Sequence, residues 1–309
     1  MADIVICEFL NAAALQQIPG HVTLLYDPTL LERPDELRGE LAKARALVVR
    51  SYVEVTGELL DAGPHLEVVG RIGVGLNNVD LDACAARNIT VVNAPGSNAI
   101  SVGEYAVTAA MMLLRAGAYQ GNAAVLDGSW PRGRMIGSEV FGKRFGVIGY
   151  GNTGRASVQR AAALGMSVMA CDPYVPGDDP AWQAVERADL DGVLRSCDIV
   201  SLHVPLTDET RYIINAAALA GMKQGAIVIN AARGGVVDEA ALAKAMRSGH
   251  IAGAALDVFE TEPFEAGEAG KFDGIENIIL TPHIAGVTHE SNKRTSFDVI
   301  RNLVEALAV

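Results

Sequence analysis

The chain has 309 residues, of which 50% are hydrophobic, 20% charged and 5% aromatic, and its formal net charge is −12. This composition is globular rather than disordered, and the length exceeds what one compact core usually fills, so two domains are expected. The acidic balance excludes broad contact with nucleic acid or an anionic membrane surface, and an anionic substrate would need a local basic site. No apolar run approaches the roughly 20 residues of a membrane span. Asp3 and Glu8 interrupt the amino-terminal apolar stretch, so no signal peptide is expected and the chain reads as cytoplasmic. Cys7, Cys84, Cys171 and Cys197 are widely spaced, with no CxxC pair and no Cys/His cluster, so reduced thiols and no metal site are expected.

In chain order, strands are predicted at Ile4–Cys7, Thr23–Tyr26, Ala46–Val49, Val68–Val69 and Thr90–Val92, with helical patterns such as Glu36–Ala42 and Leu81–Ala86 between them. Ser101-Val102-Gly103-Glu104 then has the spacing of a capping box, which predicts a helix starting there, running to about Arg115 and stopped by Gly117. The strand pattern restarts at Phe145–Gly149, Ser167–Cys171, Asp198–Leu202, Ala226–Asn230, Ala254–Asp257 and Ile278–Thr281, and a last long helix runs from about Glu290 to the carboxyl end. Strands alternating with helices indicate right-handed βαβ units and parallel sheets. Two such series predict an α/β chain of two Rossmann-like, doubly wound domains with a cleft between them. The two long helices would carry the chain across, making the first domain discontinuous: residues 1–98 plus 287–309, with 99–286 as the second.

Gly149-Tyr150-Gly151-Asn152-Thr153-Gly154 directly follows the apolar run 145–148 and opens a helical pattern through Leu164. In that setting Gly149 permits a tight turn, Gly151 leaves room for a pyrophosphate, and Gly154 lets helix and strand pack closely. The helix amino terminus offers unpaired N–H groups and partial positive charge to phosphate. Asp172 ends the next strand, where an acid accepts from the adenosine ribose hydroxyls and repels a 2′-phosphate. Residues 173–178 hold no Arg or Lys. NAD is therefore expected rather than NADP.

Hydride transfer at C2 of an oxo acid needs a cation for the carboxylate and carbonyl, a proton donor, and a group that holds the donor's pKa near working pH. Three candidates follow apolar runs in the second half: Arg233 in Asn230-Ala231-Ala232-Arg233-Gly234-Gly235, Glu262 before Pro263, and His283 in Thr281-Pro282-His283-Ile284-Ala285-Gly286. Glu260 is a competing acid two residues before Glu262.

With these motifs, and with His203-Val204-Pro205-Leu206-Thr207, the sequence resembles the D-isomer-specific 2-hydroxyacid dehydrogenase family, which includes D-3-phosphoglycerate dehydrogenase and the glyoxylate/hydroxypyruvate reductases. The resemblance implies an NAD-dependent oxidoreductase whose first domain is flavodoxin-like and binds substrate and whose second binds NAD. It implies that Arg233 binds the substrate's carboxylate and keto oxygen, and that His283 is the acid in reduction and the base in oxidation. Glu262 would raise the pKa of His283. Asp257 would contact the nicotinamide carboxamide, Val204 and Pro205 would line the adenine side, and Asn152 and Thr153 would offer backbone to the pyrophosphate. Ala231, Gly286 and the backbone of His203 would complete the cofactor site.

On the substrate side the resemblance points to two loops, Arg50-Ser51-Tyr52 and the stretch containing Gly73, Val74 and Gly75, the latter giving backbone N–H groups to the carboxylate. Arg50 has two readings: a partner for a second anionic group at C3, as in phosphoglycerate or sulfolactate, or a structural partner of a nearby acid. A glycerate-like polar group at C3 also fits. Formate dehydrogenases in this family carry Gln where Glu262 stands, so formate is not expected. A homodimer is expected by the same resemblance, and an NAD(H)-sensing corepressor on the same fold is the alternative to an enzyme.

Overall fold

The computed structural model describes residues 2–119 and 121–309, which form two compact units: Met1–Asn98 with Val287–Val309, and Ala99–Gly286. In the first unit the strands are β1 (Ile4–Ile6), β2 (Leu24–Tyr26), β3 (Ala46–Val49), β4 (Val68–Arg71) and β5 (Thr90–Val92). They form one all-parallel sheet in the order β2-β1-β3-β4-β5. The strand order reverses between β1 and β3, so the loops leaving these two strands flank the place where such sheets bind ligands. Short continuous apolar runs suit strands covered on both faces, and β1 and β3 are completely buried. The helix His289–Leu307 covers one face with Val299, Ile300 and Leu303. A Cβ on Gly70 would lie 3.1 Å from Leu303 Cδ1, so the missing side chain lets this helix sit close to β4.

The second unit contains β6 (Arg144–Ile148), β7 (Ser167–Cys171), β8 (Glu186–Arg187), β9 (Ile199–Leu202), β10 (Ala226–Asn230), β11 (Ile251–Leu256) and β12 (Ile278–Leu280). The order is β12-β11-β10-β9-β6-β7-β8, again all parallel, with its switch point between β6 and β9. The strand β8 had no apolar signature, because its two residues are exposed and charged and pair only with β7. Apolar clusters lie on both faces of the sheet.

The helix expected to start at a Ser101/Glu104 capping box instead runs Ala99–Leu114, with Ser101 buried inside its first turn. Glu104 reaches Arg160 at 3.3 Å on the helix Asn152–Ala163. These helices approach closely, since a Cβ on Gly103 would lie 3.0 Å from the Ala156 carbonyl carbon. Packing of one helix on the other overrides the local capping signal. The helix ends at a left-handed Ala116 (φ 47°), one residue before the expected Gly117. A capping box does occur at the last helix, between Thr288 and Ser291.

Candidate active site

The glycine loop lies at the switch point of the second sheet. Gly149 has φ 92°, and a Cβ there would lie 2.6 Å from the His203 carbonyl oxygen, so both conformation and contact exclude a side chain. A Cβ on Gly154 would meet the Gly149 carbonyl oxygen at 2.1 Å, which makes it the close helix–strand contact. Gly151 differs: nothing lies within 4 Å of its Cβ position, and as N-cap of the helix Asn152–Ala163 it supplies no side-chain acceptor to the first turn. Open space and uncapped N–H groups coincide there, which fits a pyrophosphate.

Asp172 ties this loop to the next strand. Its Oδ2 accepts from the Tyr150 N–H at 2.7 Å and its Oδ1 from the Tyr174 N–H at 2.9 Å. Each oxygen keeps a further lone pair for a ribose hydroxyl. Beneath the loop, His203 Nε2 meets Ser201 Oγ at 3.0 Å, and burial pushes its imidazole down to about 4, so the ring is neutral. His203 thus brings a packed side chain under the loop besides the backbone that sequence reasoning assigned to it. Val204 Cγ1 also faces Gly149, at 3.0 Å from the Cβ position, whereas Pro205 is exposed.

Arg233 follows β10. The buried Asn230 shapes its loop, accepting from Ala232 N–H at 3.1 Å and donating to the Arg233 carbonyl at 3.0 Å. A Cβ on Gly234 would fall 1.6 Å from the Phe259 carbonyl oxygen, so the Arg233 loop and the loop after β11 are in backbone contact. This contact explains why glycine follows the arginine. In the second loop Glu262 Oε1 accepts from the Phe259 N–H at 2.9 Å, and Oε2 meets His283 Nδ1 at 2.7 Å. Glu260 faces elsewhere: its N–H and the Glu239 N–H exchange hydrogen bonds with each other's carboxylates, and Lys271 pairs with both acids. Of the two neighbouring acids, Glu262 is the one that reaches the imidazole.

Burial alone would push the Glu262 carboxyl up, but the hydrogen bonds from His283 and Phe259 and the nearby Arg233 charge hold it below the ordinary carboxylate range. The hydrogen bond to Glu262 raises the His283 pKa, against opposing burial. Both shifts favour an ion pair, and among the described residues only Nδ1 of the imidazole has a partner.

Asp257 has a structural role that its sequence setting did not indicate. It is 1% exposed, and its carboxylate accepts from Thr281 Oγ1 at 2.6 Å, Ile284 N–H at 2.8 Å and Ala285 N–H at 2.8 Å, while its carbonyl accepts the His283 N–H at 2.8 Å. Tyr105 extends the chain, its hydroxyl 2.8 Å from Thr281 Oγ1. These bonds hold His283 in the left-handed region, at φ 55°, a conformation uncommon outside glycine that histidine adopts more readily than most side chains. One of about four acceptor positions on the carboxylate remains for a nicotinamide amide.

In the first unit, the N–H groups of Arg50, Ser51, Tyr52 and Val53 all point at the carboxylate of Glu8 at 2.9–3.2 Å. Sequence reasoning gave Glu8 no role in this loop, because its partners are backbone N–H groups that leave no residue pattern. By contrast, among the described residues no acceptor takes the N–H groups of Gly73, Val74 and Gly75. Their carbonyls are used: Gly73 accepts from the Ala94 N–H at 2.9 Å and Val74 from Asn93 Nδ2 at 2.6 Å. Arg50 pairs with no carboxylate among the described residues; its Nη2 donates to Asn292 Oδ1 at 2.6 Å.

Residues 108–285 match the family model described as D-isomer specific 2-hydroxyacid dehydrogenase, NAD binding domain. The whole chain is 48% identical over 310 residues to an (S)-sulfolactate dehydrogenase from Chromohalobacter salexigens, covering 100% of this chain and 99% of that one. The chain belongs to the D-isomer-specific 2-hydroxyacid dehydrogenase family. As such it is an NAD-dependent oxidoreductase that moves a hydride between nicotinamide and C2 of a small 2-hydroxy or 2-oxo acid. A D-3-phosphoglycerate dehydrogenase from Mycobacterium bovis is 43% identical over 277 residues, 89% of this chain but only 51% of that relative. A D-lactate dehydrogenase from Aquifex aeolicus, solved with NAD and lactic acid, shares the fold with a TM-score of 0.81 and 29% identity, over 99% of this chain and 95% of that one. Among the described residues no helix is long and apolar enough to cross a membrane.

Proposed function

We propose that this dehydrogenase acts on a D-series 2-hydroxy acid with a second anionic group at C3, with 3-sulfolactate and its 2-oxo counterpart as the leading pair. The observation that carries this reading is Arg50, a guanidinium with no carboxylate partner among the described residues, presented from the loop after β3. The sulfolactate dehydrogenase relative supports it. The S descriptor in that relative's name agrees with the D series. Sulfur outranks oxygen, so the sulfonate-bearing carbon takes priority over the carboxyl, and the arrangement called R in D-lactate becomes S.

In this mechanism the bound nicotinamide supplies or accepts the hydride. Arg233 holds the C1 carboxylate and the C2 oxygen with its planar fork. The N–H groups of Gly73, Val74 and Gly75 donate to the same carboxylate, while Arg50 and the Ser51 hydroxyl take the group at C3. His283, oriented through Nδ1 by Glu262, gives its Nε2 proton to the C2 oxygen in reduction and takes it back in oxidation. Glu262 stays ionised and stabilises the imidazolium. Gly149, Gly151, Asn152, Thr153 and Gly154 would hold the pyrophosphate and Asp172 the ribose, with Val204 and Pro205 lining the adenine side. His203, Ala231, Asp257 and Gly286 border the rest of the cofactor. The Met1–Asn98/Val287–Val309 unit is accordingly the substrate domain and the Ala99–Gly286 unit the NAD domain.

NADH consumption with glyoxylate, hydroxypyruvate, phosphohydroxypyruvate, sulfopyruvate and 2-oxoglutarate tests the reading. The highest kcat/KM is expected with sulfopyruvate; glyoxylate or hydroxypyruvate used equally well would contradict it. A cytoplasmic homodimer completes the proposal, and sedimentation at the mass of a single chain would count against the dimer.

A further inference from the structure

Arg50 is immobilised without being neutralised. Its Nη2 donates to the neutral amide oxygen of Asn292 at 2.6 Å, and its guanidinium carbon lies 5.8 Å from the Phe9 ring centroid. Asn292 is itself anchored in the first turn of the helix His289–Leu307, its N–H bound to the Thr288 carbonyl at 2.9 Å and its carbonyl accepting the Ser296 hydroxyl at 2.7 Å. The backbone beneath Arg50 is fixed independently. Glu8, at the end of β1, is 1% exposed and receives the four consecutive N–H groups of residues 50–53.

Two consequences follow. The loop's backbone donors are fully used by Glu8, so this loop binds an anion only through side chains, unlike the Gly73–Gly75 stretch. A carboxylate in place of the Asn292 amide would hold Arg50 as well but would cancel its charge and repel a second anion. A neutral acceptor plus an aromatic face fixes the rotamer while leaving the whole positive charge for a ligand, which lowers the ordering cost of binding.

We propose that Asn292 is a positioning residue that sets the preference for substrates with an anionic group at C3, by holding Arg50 in place without neutralising it. This rests on the reading of Arg50 given above. The readout is the ratio of kcat/KM for sulfopyruvate to that for hydroxypyruvate, which has a neutral group at C3, in the wild-type chain and in Asn292→Asp, Asn292→Ala and Arg50→Ala. Asn292→Asp is isosteric, and its ratio is expected to fall about 10–100-fold, the size of one charged hydrogen bond. Asn292→Ala frees the guanidinium, and a fall of about 3–10-fold, carried by KM, is expected from side-chain ordering alone. General damage to folding or chemistry lowers both substrates together and leaves the ratio unmoved, which would overturn the proposal. A ratio that collapses in Arg50→Ala but survives both Asn292 variants overturns the role of Asn292 alone. A ratio near one in the wild type, or unchanged in Arg50→Ala, overturns the underlying reading of Arg50 as well.

Discussion

Replacement of His283 by alanine is expected to lower kcat for 2-oxo acid reduction by about 10²–10⁴-fold, the usual worth of a positioned proton donor, while NADH binding changes little. The imidazole is fixed from both sides: Glu262 holds Nδ1 at 2.7 Å, and Asp257 pins the backbone of residues 283–285. Orientation and protonation are thus arranged before substrate arrives, and both are lost with the ring. The left-handed backbone at 283 suggests a second variant, because asparagine tolerates that conformation well. His283→Asn should fold at least as securely and be as slow, since an amide has no proton to give near neutral pH. Steady-state rates and an NADH fluorescence titration check both. A near wild-type rate in either variant would remove His283 from the chemistry.

The second large effect is expected at Arg233. Arg233→Ala should lower kcat/KM by about 10²–10³-fold, the cost of deleting a donor aimed at an oxygen that gains charge in the transition state. Arg233→Lys should recover only part, because a point charge on a flexible stem cannot serve two oxygens in one plane. The loop itself should survive both changes. The guanidinium adds one bond to the loop, from Nη1 to the Ala232 carbonyl at 2.6 Å, while Asn230 and the Gly234–Phe259 contact hold the backbone independently of it. Equal activity of the lysine variant would show that charge alone suffices.

Much of this was legible because the signals were short-range and chemically specific. The Gly149–Gly154 loop could be read one glycine at a time, and the structure supplies a separate cause for each: a left-handed φ, open space and a backbone contact. Alternating apolar runs predicted parallel sheets because buried strands need side chains apolar on both faces. Failures came where a distant partner overrides local chemistry. Ser101 and Glu104 have capping-box spacing, yet Glu104 finds Arg160, 56 positions away along the chain. The three internal donors on the Asp257 carboxylate, from Thr281, Ile284 and Ala285, were likewise invisible in the sequence. Glu8, 42 residues from Arg50, left no mark beyond interrupting an apolar run. Such carboxylates act through backbone N–H groups, which any sequence supplies, so no residue pattern announces them.

The pH dependence of kcat/KM for 2-oxo acid reduction, in wild type and in Glu262→Gln, tests the Glu262–His283 pair most directly. Reduction consumes the protonated imidazole, so the rate should be level below the His283 pKa and fall as pH rises through it. Glu262 raises that pKa, and its removal should move the falling limb to lower pH, while oxidation should rise with pH around the same shifted value. A falling limb that stays in place in Glu262→Gln, or reduction that rises with pH, would contradict imidazolium as the proton donor.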